Sequence, residues 1–165
     1  MRVCGIDPSM KTGFVVLDPD GGVLVAVKVE FTDAKGYHRL QLIAKSLGSL
    51  VNEWKPDIVV VEGQGFANKF TKVEQTHAHM IVRQSLYTAG IGWYDAPPTT
   101  VKKLTTGKGD AKKADMAKSV KERWGFISKS DDVVDAYAMA QIARQIALTG
   151  AIPTGVKKHE EPSLP

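Results

Sequence analysis

The chain has 165 residues, 43% of them hydrophobic and 24% charged, with a net charge of +4. That size and balance favour one soluble globular domain with a sizeable core. No apolar run is long enough to span a bilayer and the N-terminus lacks a signal-peptide core; a single cysteine, Cys4, rules out an internal disulfide or a zinc cluster, so a cytoplasmic protein is expected.

Residues 2–6, 13–18 and 23–31 read as three strands, separated by turn signals at Asp7-Pro8-Ser9 and Asp18-Pro19-Asp20-Gly21-Gly22. Short turns predict an antiparallel meander. Cys4 falls in the first apolar run and reads as a buried, inert thiol. Tyr37, Leu40, Ile43, Ala44, Leu47, Leu50, Val51 and Trp54 recur at helical spacing and predict an amphipathic helix over 36–54. "PDIVVVEG" follows, and its unbroken run from Ile58 to Val61 suits a strand buried on both faces. A helix over 69–89 comes next, then a strand at "IGWYDA" closed by Pro97 and Pro98. A lysine-rich segment, a helix over about 111–124 and a last helix from Ser130 to about Leu148 complete the order. The tail from Gly150 holds three prolines and little hydrophobicity, and is expected to be mobile. This order predicts an α/β domain over 1–149, with a mixed, partly parallel sheet flanked by helices, and a flexible tail over 150–165.

The positive charge is not evenly spread. Between Val101 and Gly125, Lys102, Lys103, Lys108, Lys112, Lys113, Lys118, Lys121 and Arg123 stand against Asp110, Asp115 and Glu122. The surplus is +5, which covers the whole excess of the chain. Such a run is either a solvated helix face or a surface for a polyanion.

Four acids stand where strands and helices end. Asp7 closes the first strand and Glu62 closes "IVVVE", positions where α/β proteins place their chemistry. In "SKSDDVVDAYAMAQIA", Ser130 is a natural N-cap, and Asp131 and Asp132 suit the positive end of a helix dipole. Asp135 lies a turn further in among apolar residues, and shares a helix face with Asp132. A buried unpaired carboxylate is expensive, and a divalent cation removes that cost. If the first strand pairs beside the buried strand, Asp7 and Glu62 emerge at one edge, and a helix crossing it adds Asp132 and Asp135. Four oxygen donors suit Mg²⁺ or Mn²⁺ rather than zinc, and such a cluster can hold two ions for phosphodiester hydrolysis.

With these blocks in place, the chain resembles the RuvC family of Holliday junction resolvases, within the ribonuclease H-like superfamily. The resemblance is carried by "GIDPSMKTGFVVLD", "IVVVEG", "DDVVDAYAMA" and "TTVKKLTTGKGDAKKADM", and covers residues 1 to about 148. It implies a mixed five-stranded sheet flanked by helices, and a homodimer that places two active sites on a four-way DNA junction. Each site would nick one of two opposed strands with Mg²⁺ or Mn²⁺, in recombination and repair. Asp7, Glu62, Asp132 and Asp135 would be metal ligands. Lys113 and Lys102 match the family's functional lysines and would neutralise phosphate. Lys103, Lys108 and Lys112 would add DNA contacts. The family's base-stacking aromatic after the glutamate falls on "EGQGFANKF", where Phe66 is placed in that role with Phe70 as the alternative. The helix over 69–89 would form the dimer face, with His77 and His79 as surface or interface residues.

Other readings are narrower. "TTGKGDAKK" lacks the spacing of a nucleotide-binding loop, so no nucleotide cofactor is expected. Ser9 lacks a partnered His-Asp arrangement and reads as a turn residue. An actin-like ATPase needs more chain than this. A nuclease of the same fold acting on other branched DNA or on RNA–DNA hybrids is the alternative, and a DNA-binding module without catalysis would have lost at least one acid.

Overall fold

The computed structural model describes residues 1–64 and 72–159. Phe66 and Phe70 lie outside the described residues.

Alternation of side chains along strands sets the architecture. Strand β1 (Val3–Asp7) sits at the centre of the sheet. It pairs antiparallel with β2 (Lys11–Leu17), with Asp7 opposite Gly13. On its other side it pairs parallel with β4 (Ile58–Glu62), with Ile6 opposite Val61. Beyond β2 lies β3 (Val23–Glu30), antiparallel; beyond β4 lies β5 (Trp93–Ala96), parallel. The order is β3-β2-β1-β4-β5-β6.

Two apolar clusters fill the two faces. Cys4, Ile6, Phe14, Val16, Val59 and Val61 face helix α1 (Gly36–Trp54) and helix α2 (Lys72–Thr88), meeting Ile43, Leu47, Val51, Val82 and Leu86. Val3, Val15, Leu17 and Val60 face the opposite way. There they meet helix α3 (Pro98–Thr106), helix α4 (Lys113–Trp124) and above all helix α5 (Asp131–Thr149). The period of two therefore sends Asp7, two residues past Gly5, and Glu62, two past Val60, to the α5 face. Cys4 is fully buried and burial pushes its thiol upward, so it packs as a small hydrophobe.

Two expectations are corrected here. Pro98 does not merely close a strand: it occupies the first turn of α3, where its missing N–H costs nothing, and Gly107 ends that helix in the left-handed region. The sheet has six strands rather than five, because β6 (Lys157–His159) from the supposedly mobile tail pairs antiparallel with β5. Exposed along its length, β6 is held by ladder bonds, by His159 stacked on Trp93 at 5.3 Å, and by His159 Nε2 lying 2.8 Å from an Asp95 oxygen. Among the described residues, no helix is long and apolar enough to cross a membrane.

Helix α5 lies closer to the sheet than side chains ordinarily allow. A methyl group on Gly5 would sit 2.0 Å from the Ala136 carbonyl oxygen and 2.3 Å from the Ala140 nitrogen. One on Gly13 would sit 2.0 Å from the Asp132 carbonyl oxygen. These two glycines let the helix backbone rest directly on β1 and β2. That contact lowers the first turns of α5 to the level of Asp7.

Candidate active site

Asp7, Glu62, Asp132 and Asp135 line one cleft of about 330 Å³, together with Pro8, Ser9, Gln75, His79, Pro98 and Lys113. Each element delivers its residue for a local reason. Asp7 ends β1 just before a tight turn in which Ser9 acts structurally: its Oγ accepts from the Lys11 N–H at 2.9 Å, and its carbonyl accepts from Thr12 Oγ1 at 2.6 Å. Glu62 ends β4 beside Asp7. Asp132 and Asp135 lie three apart on the first turns of α5, as the helical period requires. Ser130 stands at the N-cap position, but its side chain does not cap the helix; its Oγ donates to Asp132 at 3.4 Å.

Crowding of negative charge out of water sets the electrostatics. Asp7 is pushed well above the carboxylate range, first by burial, then by Glu62, Asp135 and Asp132. Burial and Asp135 raise Glu62 to about 7, against the pull of a hydrogen bond with Asp7 and of Lys102. Burial raises Asp135 to about 6, opposed by Lys113 and Lys102. The hydrogen bond between Asp7 and Glu62 requires a proton between them, so the two titrate as a pair. Groups held in this way keep their protons to a higher pH than ordinary carboxylates because their surplus charge is costly, and a cation relieves the same cost.

The donor set fits a hard divalent cation: four carboxylates, with no sulfur and no required nitrogen. Among the described residues, no three carboxylate, histidine or cysteine side chains close on a single point as a ready coordination shell; the four acids surround a shared, open cleft.

The basic segment divides. Lys113, at the start of α4, pairs with Asp131 at 3.2 Å and reaches the cleft wall. Asp131 is thus a half-exposed partner for that lysine. Lys102 on α3 is close enough to act on Glu62 and Asp135. Lys103, Lys108 and Lys112 are not among the residues that line the acidic cleft. Lys103 borders a separate cavity with Thr99, Thr100 and Pro153, and Lys108 borders another between α3 and α4. Lys112 is exposed at the N-cap of α4, where its N–H donates to Asp115 at 3.0 Å.

The reading of the two histidines is half corrected. His77 is exposed, but His79 is buried at 7% exposure and lines the cleft. Its Nδ1 lies 3.1 Å from Arg83 Nη1, and Arg83 Nη2 binds Asp95 at 2.6 Å. Burial lowers the His79 pKa to about 4, and Arg83 adds to this while Asp95 opposes it. Spacing alone says that the two rings point to different sides of the helix, not which side faces the acids.

A mixed sheet carrying a carboxylate at the end of its central strand, a second on the neighbouring parallel strand and two more on a helix laid across them defines a ribonuclease H-like α/β protein. The family model for the crossover junction endodeoxyribonuclease RuvC matches residues 3–143. The chain belongs to the RuvC family. A RuvC from Brevibacillus brevis is 32% identical over 168 residues, covering 96% of this chain and all of that protein. One from Prochlorococcus marinus is 28% identical, covering 85% and 96%. The structure of Thermus thermophilus RuvC has the same fold, with a TM-score of 0.78 at 24% identity over 96% of this chain and 100% of its own. The T. thermophilus protein in complex with a Holliday junction substrate matches at a TM-score of 0.75 and 25% identity, over 85% of this chain and 90% of that one.

Proposed function

We propose that the chain is a structure-selective endonuclease that resolves four-way DNA junctions by hydrolysing phosphodiester bonds in the acidic cleft. The observation that carries this reading is the convergence of Asp7, Glu62, Asp132, Asp135 and Lys113 on one cleft of a RuvC-family chain. The solved relative bound to a Holliday junction supports the choice of substrate.

Asp7, Glu62, Asp132 and Asp135 would hold two Mg²⁺ ions, with Mn²⁺ as a substitute. Such ions supply Lewis acidity and an acidified water at the phosphorus. The carboxylates fix that chemistry at the end of the central strand. Lys113 and Lys102 balance the negative charge of the acids and the incoming phosphate, so that DNA is not repelled. Lys103, Lys108 and Lys112, spread over the same basic surface, would follow the backbone further out, and Phe66 would stack on a junction base.

Paired nicks require two sites. The face between α1 and α2 suits a second copy of the chain: the exposed Tyr37 and Met80 line a groove of about 410 Å³ there, and Val73 and Tyr87 are further exposed hydrophobic residues of α2.

The deciding experiment offers purified protein and Mg²⁺ a labelled four-way junction beside linear duplex, a three-way branch and an RNA–DNA hybrid. Symmetric paired nicks confined to the four-way junction are expected. Cutting of every branched form, or of the hybrid alone, would favour the broader nuclease of the same fold.

Lys113→Ala should slow cleavage and flatten the salt dependence of junction binding by about one phosphate contact's worth of slope. Binding titrations at several salt concentrations check this; an unchanged slope removes Lys113 from the phosphate contacts.

The raised carboxylates also fix a pH dependence. The unfolded chain loses these protons near pH 4 to 4.5, whereas folded Asp135 and Glu62 keep theirs to about 6 and 7. Between those limits the folded state binds more protons, so the cluster's contribution to stability in EDTA falls as pH rises. Mg²⁺ competes with the same protons, so it should raise Tm more at pH 7.5 than at pH 5.5. Thermal melts with and without Mg²⁺ at both pH values test it, and an equal shift at the two would contradict it.

A further inference from the structure

His79 enters the cleft from α2, on the wall away from the lysines' helices, and the carboxylate chemistry makes no use of it. Its surroundings determine which nitrogen carries the ring proton. Arg83 Nη1 lies 3.1 Å from His79 Nδ1 and 3.1 Å from the carbonyl oxygen of the same residue. A guanidinium only donates, so Nδ1 must accept, and a neutral imidazole in that position carries its single proton on Nε2. The guanidinium is itself fixed: its Nη2 binds one Asp95 oxygen at 2.6 Å, while the other Asp95 oxygen faces His159 at 2.8 Å. Flipping the ring would set the Cδ2–H against Arg83 and lose the contact, and the other tautomer would set an N–H against a donor. Among the described residues, Nε2 has no hydrogen-bond partner within the protein.

We propose that His79 is a phosphate-contacting residue of the cleavage site: a neutral imidazole whose Nε2–H donates to a non-bridging oxygen of the DNA backbone, with Arg83 and Asp95 as its positioning residues. This rests on the endonuclease reading above. Every other protein group argued to meet the phosphate is a lysine on a long side chain, an exposed or partly exposed point charge, or a carboxylate that repels it. A buried ring locked by a bonded arginine supplies a donor of fixed direction, which orients a phosphate rather than merely attracting it. The same tautomer keeps His79 from acting as a metal ligand, since the nitrogen available to the cleft has no free lone pair.

Two side-chain amides separate the nitrogens. Asparagine at position 79 reproduces Nδ1 and can still accept from Arg83, but offers nothing at Nε2; glutamine places an N–H near Nε2. In single-turnover cleavage of a synthetic four-way junction, H79N should lose about tenfold to a hundredfold, the size of one hydrogen bond to a charged group. H79Q should recover most of that loss. The half-saturating Mg²⁺ concentration and the Tm of H79N should stay at wild-type values. Independently of activity, ¹⁵N-labelled histidine should give a bare Nδ1 and a protonated Nε2 for the resonance pair that disappears in H79N. Wild-type cleavage rates in H79N, a loss that H79Q does not relieve, a raised Mg²⁺ requirement or a proton on Nδ1 would each overturn the assignment. If the wild-type protein cuts no junction, the endonuclease reading falls and this one with it; if wild type cuts and H79N cuts equally well, only the role of His79 falls.

Discussion

Replacing Asp7 by asparagine is expected to abolish junction cleavage, by about a thousandfold or more, while junction binding survives and the metal-free protein becomes harder to unfold. The three effects share one cause. Asp7 is the most buried of the four acids and meets the charge of the other three. An amide there cannot supply a full negative charge to a cation, and a thousandfold loss corresponds to roughly 4 kcal/mol of barrier. Binding should persist because affinity for the DNA backbone comes from the basic surface, which the substitution leaves in place. Stability should rise because a neutral side chain of nearly the same shape removes the repulsion from Glu62, Asp135 and Asp132. A gain of about 1 kcal/mol, or roughly 2–4 °C in Tm, is a reasonable scale. The gain should be larger at pH 7.5 than at pH 5.5, where protonation already relieves the wild-type cluster. Cleavage assays, junction titrations in Ca²⁺ and melts in EDTA read the three effects separately. Loss of binding and of Tm together with cleavage would make Asp7 a folding residue.

The parts of this arrangement that follow from local chemistry are legible in the sequence. Residues 36–54 form a helix as the spacing of Leu40, Ile43, Leu47 and Val51 requires, because an amphipathic stripe of that length has no competing strand reading. The convergence of the acids follows from two parities and one helical repeat: Asp7 and Glu62 fall on the α5 side of paired parallel strands, and Asp132 and Asp135 face down from that helix. What stays hidden depends on distant partners. Three residues of polar tail become β6 only because Trp93 and Asp95 meet His159 there. Pro97-Pro98 ends a strand and opens a helix at once, and only the second role requires knowing that Val101 and Thr105 are buried. His79 is a helix position like its neighbours until Arg83 and Asp95 fix its ring. The lysines of the basic segment read as one surface, yet Lys103, Lys108 and Lys112 do not line the acidic cleft while Lys102 and Lys113 act on Asp135. Sign and number of charges can be counted along a chain; the direction each one takes is set by the turn between two helices.

Gly5→Ala should do more damage than any single loss of a core methyl group, although it adds only one carbon. At most positions an added methyl group meets the end of a side chain, which moves. Here it meets helix backbone, the Ala136 carbonyl oxygen at 2.0 Å and the Ala140 nitrogen at 2.3 Å. Neither can shift unless α5 lifts as a body, and α5 carries the apolar stripe that covers β1, β2 and β4. The expected cost is at least about 3 kcal/mol, or roughly 6–12 °C in Tm, at the upper end for overpacking because no rotamer change relieves it. Any protein that folds should also cleave poorly. Lifting α5 by an ångström carries Asp132 and Asp135 away from Asp7 and Glu62, and a displacement of that size in a reacting site costs about a hundredfold. Gly63→Ala is the matched control for stability. A methyl group there comes no closer than 3.4 Å to the Ala96 carbonyl oxygen, and the Gly63 N–H can keep its 2.8 Å bond to that oxygen, so a change within about 1 kcal/mol is expected. Thermal melts of the two variants beside the wild type separate the cases. If Gly5→Ala melts within 2 °C of the wild type, α5 is not seated on β1 by that glycine, and the close approach that brings the four acids together must have another source.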